Sequence, residues 1–399
     1  MNSFFASVEL LDRPDLRDKP MAVAGDPDSR HGIILAKNDL AKKCGVVTAE
    51  TIWQARKKCP DLQLVGSHHE KYKDYSIEIN KIYLRYTDLV EPFSIDESWL
   101  DVTGSQNLFG TGKEIADSIR SSVRKELGLT LSAGVSYNKI FAKMGSEYKK
   151  PDATTVITRE NYKDIIWPQP IGDMFFVGKA TATKLRELGK ETIGDMAMTP
   201  RETLVSILGK QGGMLYDYAN GLENSPVKHY SHREPVKSVG NGITFRRNLK
   251  GIEDIKTAVT ALSDTVASRL RKYALKACGV KVDIKDPGFN TISRQKQFDR
   301  ATSSTSDIYR LALAIISECW KLENPIRLIT ITAINLVDDG FSEQLSMFAE
   351  NIDRDEKNVQ IDTAIDDIRG KFGKGSISYG QVIKNDLGIE KDKDDRDHF

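Results

Sequence analysis

Cysteine is scarce in this chain, and histidine is nearly as scarce. The 399 residues include four cysteines, none of them in a C-x-x-C pair, and six scattered histidines. A disulfide framework needs several cysteines at regular spacing, and a zinc site needs closely spaced Cys or His ligands. We therefore expect neither kind of site, and we expect a protein of the reducing cytoplasm.

Long apolar runs are missing as well. No stretch approaches the roughly 18 residues that a membrane-spanning helix needs. No basic segment followed by an apolar one marks a signal peptide. The chain is 39% hydrophobic and 29% charged, which is ordinary for a globular protein. Its length predicts two to four domains, and the lack of long apolar runs predicts no membrane segment.

The net charge of +1 hides two regions of opposite sign. Residues 237–300 contain 14 Lys and Arg against 6 Asp and Glu, a net charge of +8. Residues 338–399 contain 9 against 16, a net charge of −7. A basic region before an acidic tail indicates a polyanion-binding surface and a separate interaction segment. Solvated charged faces without a partner are the alternative.

Two adjacent carboxylates, Asp96 and Glu97, separate two predicted strands, Leu89 to Ile95 and Ser98 to Val102. An Asp-Glu pair is a poor two-residue turn, because no Gly or Asn supplies a positive φ. Both acids converge at the end of such a hairpin and repel each other unless a cation lies between them. Hard oxygen ligands of this kind suit Mg²⁺. A solvated acidic turn is the alternative interpretation.

Hydrophobic periodicity divides the chain into an α/β part, a helical part and a second α/β part. Residues 69–88 have the spacing of a helix, and a capping box at Thr111 and Glu114 begins another. After a proline-marked boundary near residue 170, short helices joined by glycine turns follow. Residues 237–337 alternate as β–α–β–β–α–β, with helices at Ile252 to Tyr273 and Ser306 to Leu322.

Four motifs give the chain a resemblance to a known family. In chain order they are Met1 to Glu9 (MNSFFASVE), Ser94 to Val102 (SIDESWLDV), Ser132 to Lys139 (SAGVSYNK), and Phe141 to Lys143 followed by Lys150 to Asp152. They resemble the Y-family DNA polymerases, the lesion-bypass class, and most closely the bacterial polymerase IV branch. The resemblance covers nearly the whole chain and implies an α/β and α+β multidomain fold shaped like a right hand.

That fold implies a palm, small fingers, a helical thumb and a β-α-β-β-α-β little finger. The implied boundaries are palm at 1–10 and 67–165, with its first strand truncated, fingers at 11–66, thumb with a helix-hairpin-helix at 166–228, linker at 229–236, little finger at 237–338, and acidic tail with a clamp-binding motif at 339–399.

The resemblance makes Asp96 and Glu97 the catalytic metal ligands, joined by the backbone carbonyl of Met1. They are expected to hold two Mg²⁺ ions for nucleotidyl transfer. The family has a further bridging Asp just before the Met-Asn-x-Phe-Phe stretch, a position that would precede Met1. Either an internal Met is taken as the start, which we favour because every other motif is intact, or the chain is a degenerate polymerase. Asn2 is a poor substitute for that Asp.

The same resemblance assigns nucleotide-binding residues. Phe5 matches the steric gate that blocks a ribose 2′-hydroxyl, and its neighbour Phe4 lies in the same motif, although a buried core position is the alternative for either ring. Lys150 matches a lysine that binds the triphosphate. The family's Tyr and Arg in the fingers are replaced here by Asp39 and Lys42. Lys42 can contact phosphate without the bidentate fork of Arg, and Asp39 cannot donate a hydrogen bond.

Contacts with DNA and with a sliding clamp are also implied. Gly178 and Lys179 match a helix-hairpin-helix, whose backbone N–H groups contact phosphate at a helix N-terminus. The predicted phosphate-contacting residues of the little finger are Lys237, Arg246 and Arg247. Residues 344–348 resemble the bacterial clamp-binding pentapeptide, and a strand packed on its own domain is the alternative. The predicted clamp contacts are Gln344, Leu345, Met347 and Phe348.

The sequence therefore predicts template-directed translesion DNA synthesis from dNTPs on primer-template DNA, without proofreading, by a cytoplasmic monomer that binds the sliding clamp. Two alternatives remain. One is a DNA- and clamp-binding remnant without catalysis. The other is a palm-fold nucleotide cyclase, which shares paired carboxylates but does not account for the basic region or the clamp-like pentapeptide.

Overall fold

The structure is a computed structural model. It describes residues 1–25, 32–340, 352–383 and 385–389, with only the backbone described for 352–356. The described residues form two compact units, and the chain passes from the first to the second between His232 and Arg233. Among the helices within these ranges, none is both long and apolar enough to cross a membrane.

The first unit opens with a small three-stranded sheet in the region predicted as fingers. Its elements are α1 (Phe4–Asp12), β1 (Met21–Ala24), β2 (Ile34–Lys37), α2 (Asp39–Lys43), α3 (Ile52–Lys58) and β3 (Gln63–Gly66). The strand order is β2-β1-β3, with β1 antiparallel to β2 and parallel to β3. Alternate side chains of β1 enter two separate apolar clusters, because successive strand residues face opposite sides. All four residues of β1 are buried.

The acidic hairpin lies in the next part of the same unit. Its elements are α4 (His69–Tyr83), β4 (Val90–Ser94), β5 (Glu97–Leu100), α5 (Gln106–Phe109), α6 (Gly112–Leu127), β6 (Ala133–Val135), α7 (Lys139–Tyr148) and β7 (Thr154–Val156). The predicted capping box at Thr111 and Glu114 is present at the start of α6. The predicted Asp-Glu tip is wrong by one residue. Ile95 and Asp96 form the turn, and Glu97 already pairs opposite Ser94 as the first residue of β5.

A helical region completes the first unit. It contains α8 (Tyr162–Ile165), α9 (Lys179–Glu187), α10 (Ile193–Ala197), α11 (Arg201–Leu208) and α12 (Lys210–Ala219). Helices α11 and α12 pack closely because Gly212 has no side chain. A Cβ at that position would lie 2.0 Å from the carbonyl oxygen of Leu204. The short helices with glycine turns that the sequence predicts for 171–222 are therefore present.

The second unit contains the predicted β-α-β-β-α-β arrangement. Its elements are β8 (Ser238–Leu249), α13 (Gly251–Lys272), β9 (Leu275–Lys285), β10 (Thr291–Thr302), α14 (Thr305–Cys319) and β11 (Ile326–Asp338). The strands form one antiparallel sheet in the order β10-β9-β11-β8, so β8 is an outer strand. The two helices bury one face of this sheet in a single apolar core. The β-α-β-β-α-β order that the sequence predicts for this part of the chain is therefore confirmed.

The chain continues on the same unit after β11. Helix α15 (Ile352–Phe372) lies within the stretch that the sequence predicts as an acidic tail. Leu387 and Ile389 are buried in the core of the second unit. Part of the stretch predicted as an acidic tail is therefore folded against the little-finger core. The predicted clamp-binding residues at 344–348 lie outside the described residues.

Candidate active site

The two predicted metal ligands lie beside each other at the hairpin end. The side chains of Asp96 and Glu97 are 27% and 28% exposed, so each is partly shielded yet accessible. Ser94 Oγ donates a hydrogen bond to Asp96 Oδ1 over 3.0 Å and orients that carboxylate. The α-amino group of Met1 donates to the carbonyl oxygen of Asp96 over 2.9 Å and lies 3.6 Å from Asp96 Oδ2. The start of the chain is therefore fixed against the hairpin tip.

Asn2 forms hydrogen bonds that stabilise the fold and is not grouped with Asp96 and Glu97. Its backbone N–H donates to the carbonyl of Thr130, and its side-chain amide donates to Thr130 Oγ1 over 3.1 Å. Ser132 Oγ donates to Asn2 Oδ1 over 3.1 Å. These bonds tie the residue before α1 to the segment that leads into β6, which is consistent with the view that Asn2 does not replace a metal ligand.

A row of alternating charges runs from Glu97 along α7. Lys143 Nζ lies 2.6 Å from Glu97 Oε1 and 2.8 Å from Glu147 Oε1, and Lys150 Nζ lies 2.7 Å from the same Glu147 oxygen. Burial would raise the pKa of the Glu147 carboxyl, but hydrogen bonds from both lysines outweigh it and lower that pKa. Burial likewise opposes the charge of Lys143, yet its two carboxylate partners raise the pKa of Lys143. Lys150, the predicted triphosphate ligand, is thus joined to the metal-ligand pair through two side chains.

Lys143 and Glu147 are site residues that the sequence did not indicate. Their spacing of four on one helix signals a local ion pair. The contact with Glu97, 46 residues away, depends on how α7 packs beside the hairpin. Tyr83 was also missed, and it lines a cavity together with Asp96 and Glu97. Burial raises the pKa of its phenol, and the charge of Asp96 raises it further, so Tyr83 stays neutral beside the acids.

Replacement of Lys143 with Met should lower the free energy of unfolding. Lys143 is only 15% exposed and compensates two carboxylates, so its loss leaves Glu97 without its cation and leaves Glu147 with Lys150 alone. Allowing for the partial exposure of the acids, we expect a loss of about 1–2 kcal/mol. The control is Lys81→Met, which breaks an exposed pair with Glu78 and should cost less than about 0.5 kcal/mol. Equal losses in urea unfolding of the two variants would contradict the structural role of Lys143.

A cavity of about 490 Å³ opens beside the two acids. Its walls come from β5, β6, α6 and α7, and the charged side chains on it include Asp96, Glu97, Lys143 and Lys150. No group of three or more Asp, Glu, His or Cys residues arranged for a metal occurs in the part of the chain that the structure describes. Two carboxylates nevertheless fit a Mg²⁺ ion, because protein sites often bind Mg²⁺ through one or two carboxylates plus substrate phosphates.

The two adjacent phenylalanines of the first motif differ in environment. Phe4 is 5% exposed and belongs to the core beneath the hairpin. Phe5 is half-buried, stacks on Tyr72 with ring centroids 4.1 Å apart at 12°, and meets His69 edge-on. Tyr72 is itself held by a 2.5 Å hydrogen bond from its hydroxyl to Glu9. The Phe5 ring is therefore fixed in one orientation, whereas the Phe4 ring is part of the core and leaves little surface for a nucleotide.

The remaining predicted residues of the first unit are on its surface. Asp39 and Lys42 are exposed on α2, whose N-terminus is capped by Asn38. Gly178 and Lys179 are exposed at the N-terminus of α9, and a Cβ on Gly178 would meet nothing within 4 Å. A phosphate has room to approach those backbone N–H groups. The phosphate contacts of these residues stay predictions.

The predicted DNA contacts of the second unit have different surroundings. Lys237 and Arg246 are exposed, at the start of β8 and within it. Arg247 is held between two carboxylates, with Nη1 2.5 Å from Asp254 Oδ2 and Nε 2.7 Å from Asp386 Oδ2. The positive charge of Arg247 is thus already compensated, which its sequence position did not indicate.

Comparison with known proteins identifies the family. The family model for the impB/mucB/samB family matches residues 1–147, and the model for the C-terminal domain of that family matches residues 236–347. A DNA polymerase IV of Acetivibrio thermocellus is 43% identical over 391 residues, covering 98% of this chain and 98% of the relative. A DNA polymerase IV of Clostridium kluyveri is 39% identical, with coverage of 96% and 97%. DNA polymerase IV 2 of Bacillus subtilis is 35% identical, with coverage of 94% and 92%.

A solved structure has the same fold. A Y-family DNA polymerase chimera of Dbh and Dpo4 superposes with a TM-score of 0.73, covering 84% of this chain and 97% of that chain at 24% identity. The chain belongs to the Y family of DNA-directed DNA polymerases, in the bacterial DNA polymerase IV branch. The multidomain α/β fold that the sequence predicts is confirmed. Members of this family depend on a divalent metal. None of these relatives supports the nucleotide cyclase alternative.

Proposed function

We propose that this protein performs template-directed, error-prone translesion synthesis. At the end of the β4–β5 hairpin, the primer 3′-hydroxyl attacks the α-phosphorus of a dNTP, the bond between the α- and β-phosphates breaks, and pyrophosphate leaves. The observation that carries the proposal is the pair of accessible carboxylates, Asp96 and Glu97, in one cavity with Lys143 and Lys150. Phosphoryl transfer requires negative ligands for a cation and positive charges for a triphosphate. This cavity contains both.

Each residue has a separate part in this proposal. Asp96, Glu97 and the Met1 carbonyl would hold Mg²⁺, which would supply Lewis-acid stabilisation of the phosphoryl oxygens and of the attacking hydroxyl. Lys150 neutralises the triphosphate as a point charge, with Lys42 as a second contact from the fingers. Phe5 limits the space at the ribose C2′. Phe4 supports the Phe5 backbone from the core.

DNA is held outside the catalytic cavity. We assign phosphate contacts to Gly178, Lys179, Lys237 and Arg246, whereas Arg247 is already paired with two carboxylates. Phosphate contacts fix the register of the duplex without reading its sequence, which suits an enzyme that accepts any template. Residues 344–348 bind the sliding clamp in this proposal, and synthesis is distributive without it. A monomeric state and a cytoplasmic location stay predictions.

Primer extension tests the proposed function. A labelled primer on a template with a single abasic position, Mg²⁺ and four dNTPs should yield products that grow one nucleotide at a time and continue past that position. Without dNTPs the primer should keep its length, because the proposal includes no proofreading nuclease. Binding of the primer-template with no elongation under any of these conditions would favour the second candidate, a catalytically impaired DNA- and clamp-binding protein. The missing third acidic ligand among the described residues is the observation behind that candidate.

A further inference from the structure

The described residues that follow the second family-model match, 352–383 and 385–389, pack on the second unit. Helix α15 presents a row of aspartates to α13 and α14. Arg271 Nε lies 2.7 Å from Asp366 Oδ2, and Arg271 Nη1 lies 3.2 Å from Asp362 Oδ2. Arg369 forms a second ion pair with Asp264 over 2.9 Å. These arginines are only 10% and 14% exposed, so both sets of ion pairs lie within the contact between α15 and α13.

The last described residues then follow the outer strand of the sheet. The backbone N–H of Arg246 in β8 donates to the carbonyl oxygen of Leu387 over 2.8 Å. Leu387 and Ile389 are buried in the core, and the Asn385 side chain bonds the backbone N–H groups of both. Residues 385–389, which we call the edge segment, therefore cover part of an edge that would otherwise offer unpaired backbone groups.

The edge segment places a carboxylate on a predicted DNA contact. Asp386 accepts two hydrogen bonds from Arg247, from Nε over 2.7 Å and from Nη2 over 2.8 Å. The other side of the same guanidinium is paired with Asp254. One positive charge thus lies between two negative charges. The Asp386 side chain is 70% exposed, so this bond is on the surface and open to competition by other anions.

A DNA phosphate is the anion that fits this position. A guanidinium presents parallel N–H donors that match a phosphate as well as they match a carboxylate. Asp254 is 19% exposed and also accepts from the backbone N–H of Lys250, so it is a fixed partner of Arg247. Asp386 is the exposed partner and lies on a segment far along the chain. A DNA phosphate therefore competes with Asp386, and not with Asp254, for the guanidinium of Arg247.

We propose that Asp386 is an internal substitute for a DNA phosphate, and that the edge segment weakens DNA binding by occupying Arg247. This inference rests on the proposed function, since it assumes that the second unit contacts DNA. It adds a regulatory role for a segment that lies outside both matched family domains. Loss of the Asp386 charge should free Arg247 to form one additional contact with a DNA phosphate.

The test compares DNA binding by the full chain with that by Asp386→Asn. Affinity for a primer-template should rise by about threefold to tenfold at moderate salt, and the slope of log affinity against log salt should steepen by about 0.9, the value for one further phosphate contact. Asp367→Asn is the matched control, because Asp367 is exposed on α15 and its replacement changes the net charge equally. The control should leave the slope unchanged. Thermal unfolding of both variants verifies that the second unit remains folded.

A double substitution separates competition from a general charge effect. Arg247→Ala alone should change DNA affinity by less than about twofold, since its charge is already compensated. Arg247→Ala combined with Asp386→Asn should remove the entire gain. Equal slopes for Asp386→Asn and Asp367→Asn, or a gain that persists without Arg247, would overturn the inference while the parent chain still binds DNA. No DNA binding by the parent chain even at low salt would overturn the proposed function as well.

Discussion

Asp96→Asn should reduce primer extension by at least about a thousandfold, or roughly 4 kcal/mol of transition-state stabilisation. The substitution keeps the size of the side chain and removes the negative charge that we assign to metal binding. Ser94 still has an oxygen to donate to, so the hairpin tip should retain its conformation. DNA affinity should change by less than about twofold, because the phosphate contacts lie elsewhere. Single-nucleotide incorporation and equilibrium DNA binding measure the two quantities.

Asp88→Asn is the matched control for this substitution. Asp88 lies at the opposite end of the same hairpin, its side chain is 76% exposed, and its replacement removes the same charge. We expect incorporation within about twofold of the parent chain, since exposed pairs contribute little. If both variants incorporate nucleotides at the parental rate, the chemistry does not take place at the hairpin tip.

Phe5→Ala should reduce discrimination against ribonucleotides by about a hundredfold, or roughly 2.7 kcal/mol. The Phe5 ring is fixed between Tyr72 and His69, so it cannot easily move away from an additional hydroxyl. Removal of the ring opens the space that a 2′-hydroxyl needs. The measurement is the ratio of kcat/KM for a dNTP to that for the matching rNTP. Deoxynucleotide incorporation itself should fall much less than this ratio.

Phe5→Tyr preserves the ring and should retain most of the discrimination. This control distinguishes loss of the ring from a general disturbance of α1. If Phe5→Ala selects deoxynucleotides as strongly as the parent chain does, the residue that excludes the 2′-hydroxyl lies elsewhere, and Phe5 has only a packing role beside Phe4.

The sequence was sufficient for features that depend on local pattern. The capping box at Thr111, the β-α-β-β-α-β order of the second unit and the closeness of Asp96 to Glu97 all follow from residues near each other in the chain. The exact position of the turn could not be predicted from these local patterns. The pairing of Glu97 opposite Ser94 depends on strand register, which two short strands without a defined turn sequence leave open.

Features that depend on distant residues were missed for a physical reason. The contact of Lys143 with Glu97 and that of Arg247 with Asp386 join residues 46 and 139 positions apart. Composition gave only the net charges of the two regions, +8 and −7, and suggested a basic surface and a separate tail. In the structure, the acids of α15 and the edge segment pair with arginines of the basic region. Opposite net charges can equally indicate that two segments of one chain bind each other.

N-terminal extension tests most directly whether nucleotidyl transfer depends on carboxylates at the hairpin tip. The 399-residue chain would be compared with two versions that begin with a short strand ending in either Asp or Asn immediately before Met1. Both extensions replace the α-ammonium group near Asp96 with a peptide bond, and only one adds a carboxylate. The Asn version therefore isolates the effect of the added charge.

The measurement is single-turnover incorporation of one dNTP with Mg²⁺, with Asp96→Asn introduced into each version. We predict that the Asp extension incorporates nucleotides fastest, by about a hundredfold or more over the Asn extension. Asp96→Asn should abolish incorporation in all three versions. If no version incorporates a nucleotide although all three bind primer-template DNA, the claim is contradicted, and the chain is a DNA-binding protein that does not catalyse synthesis.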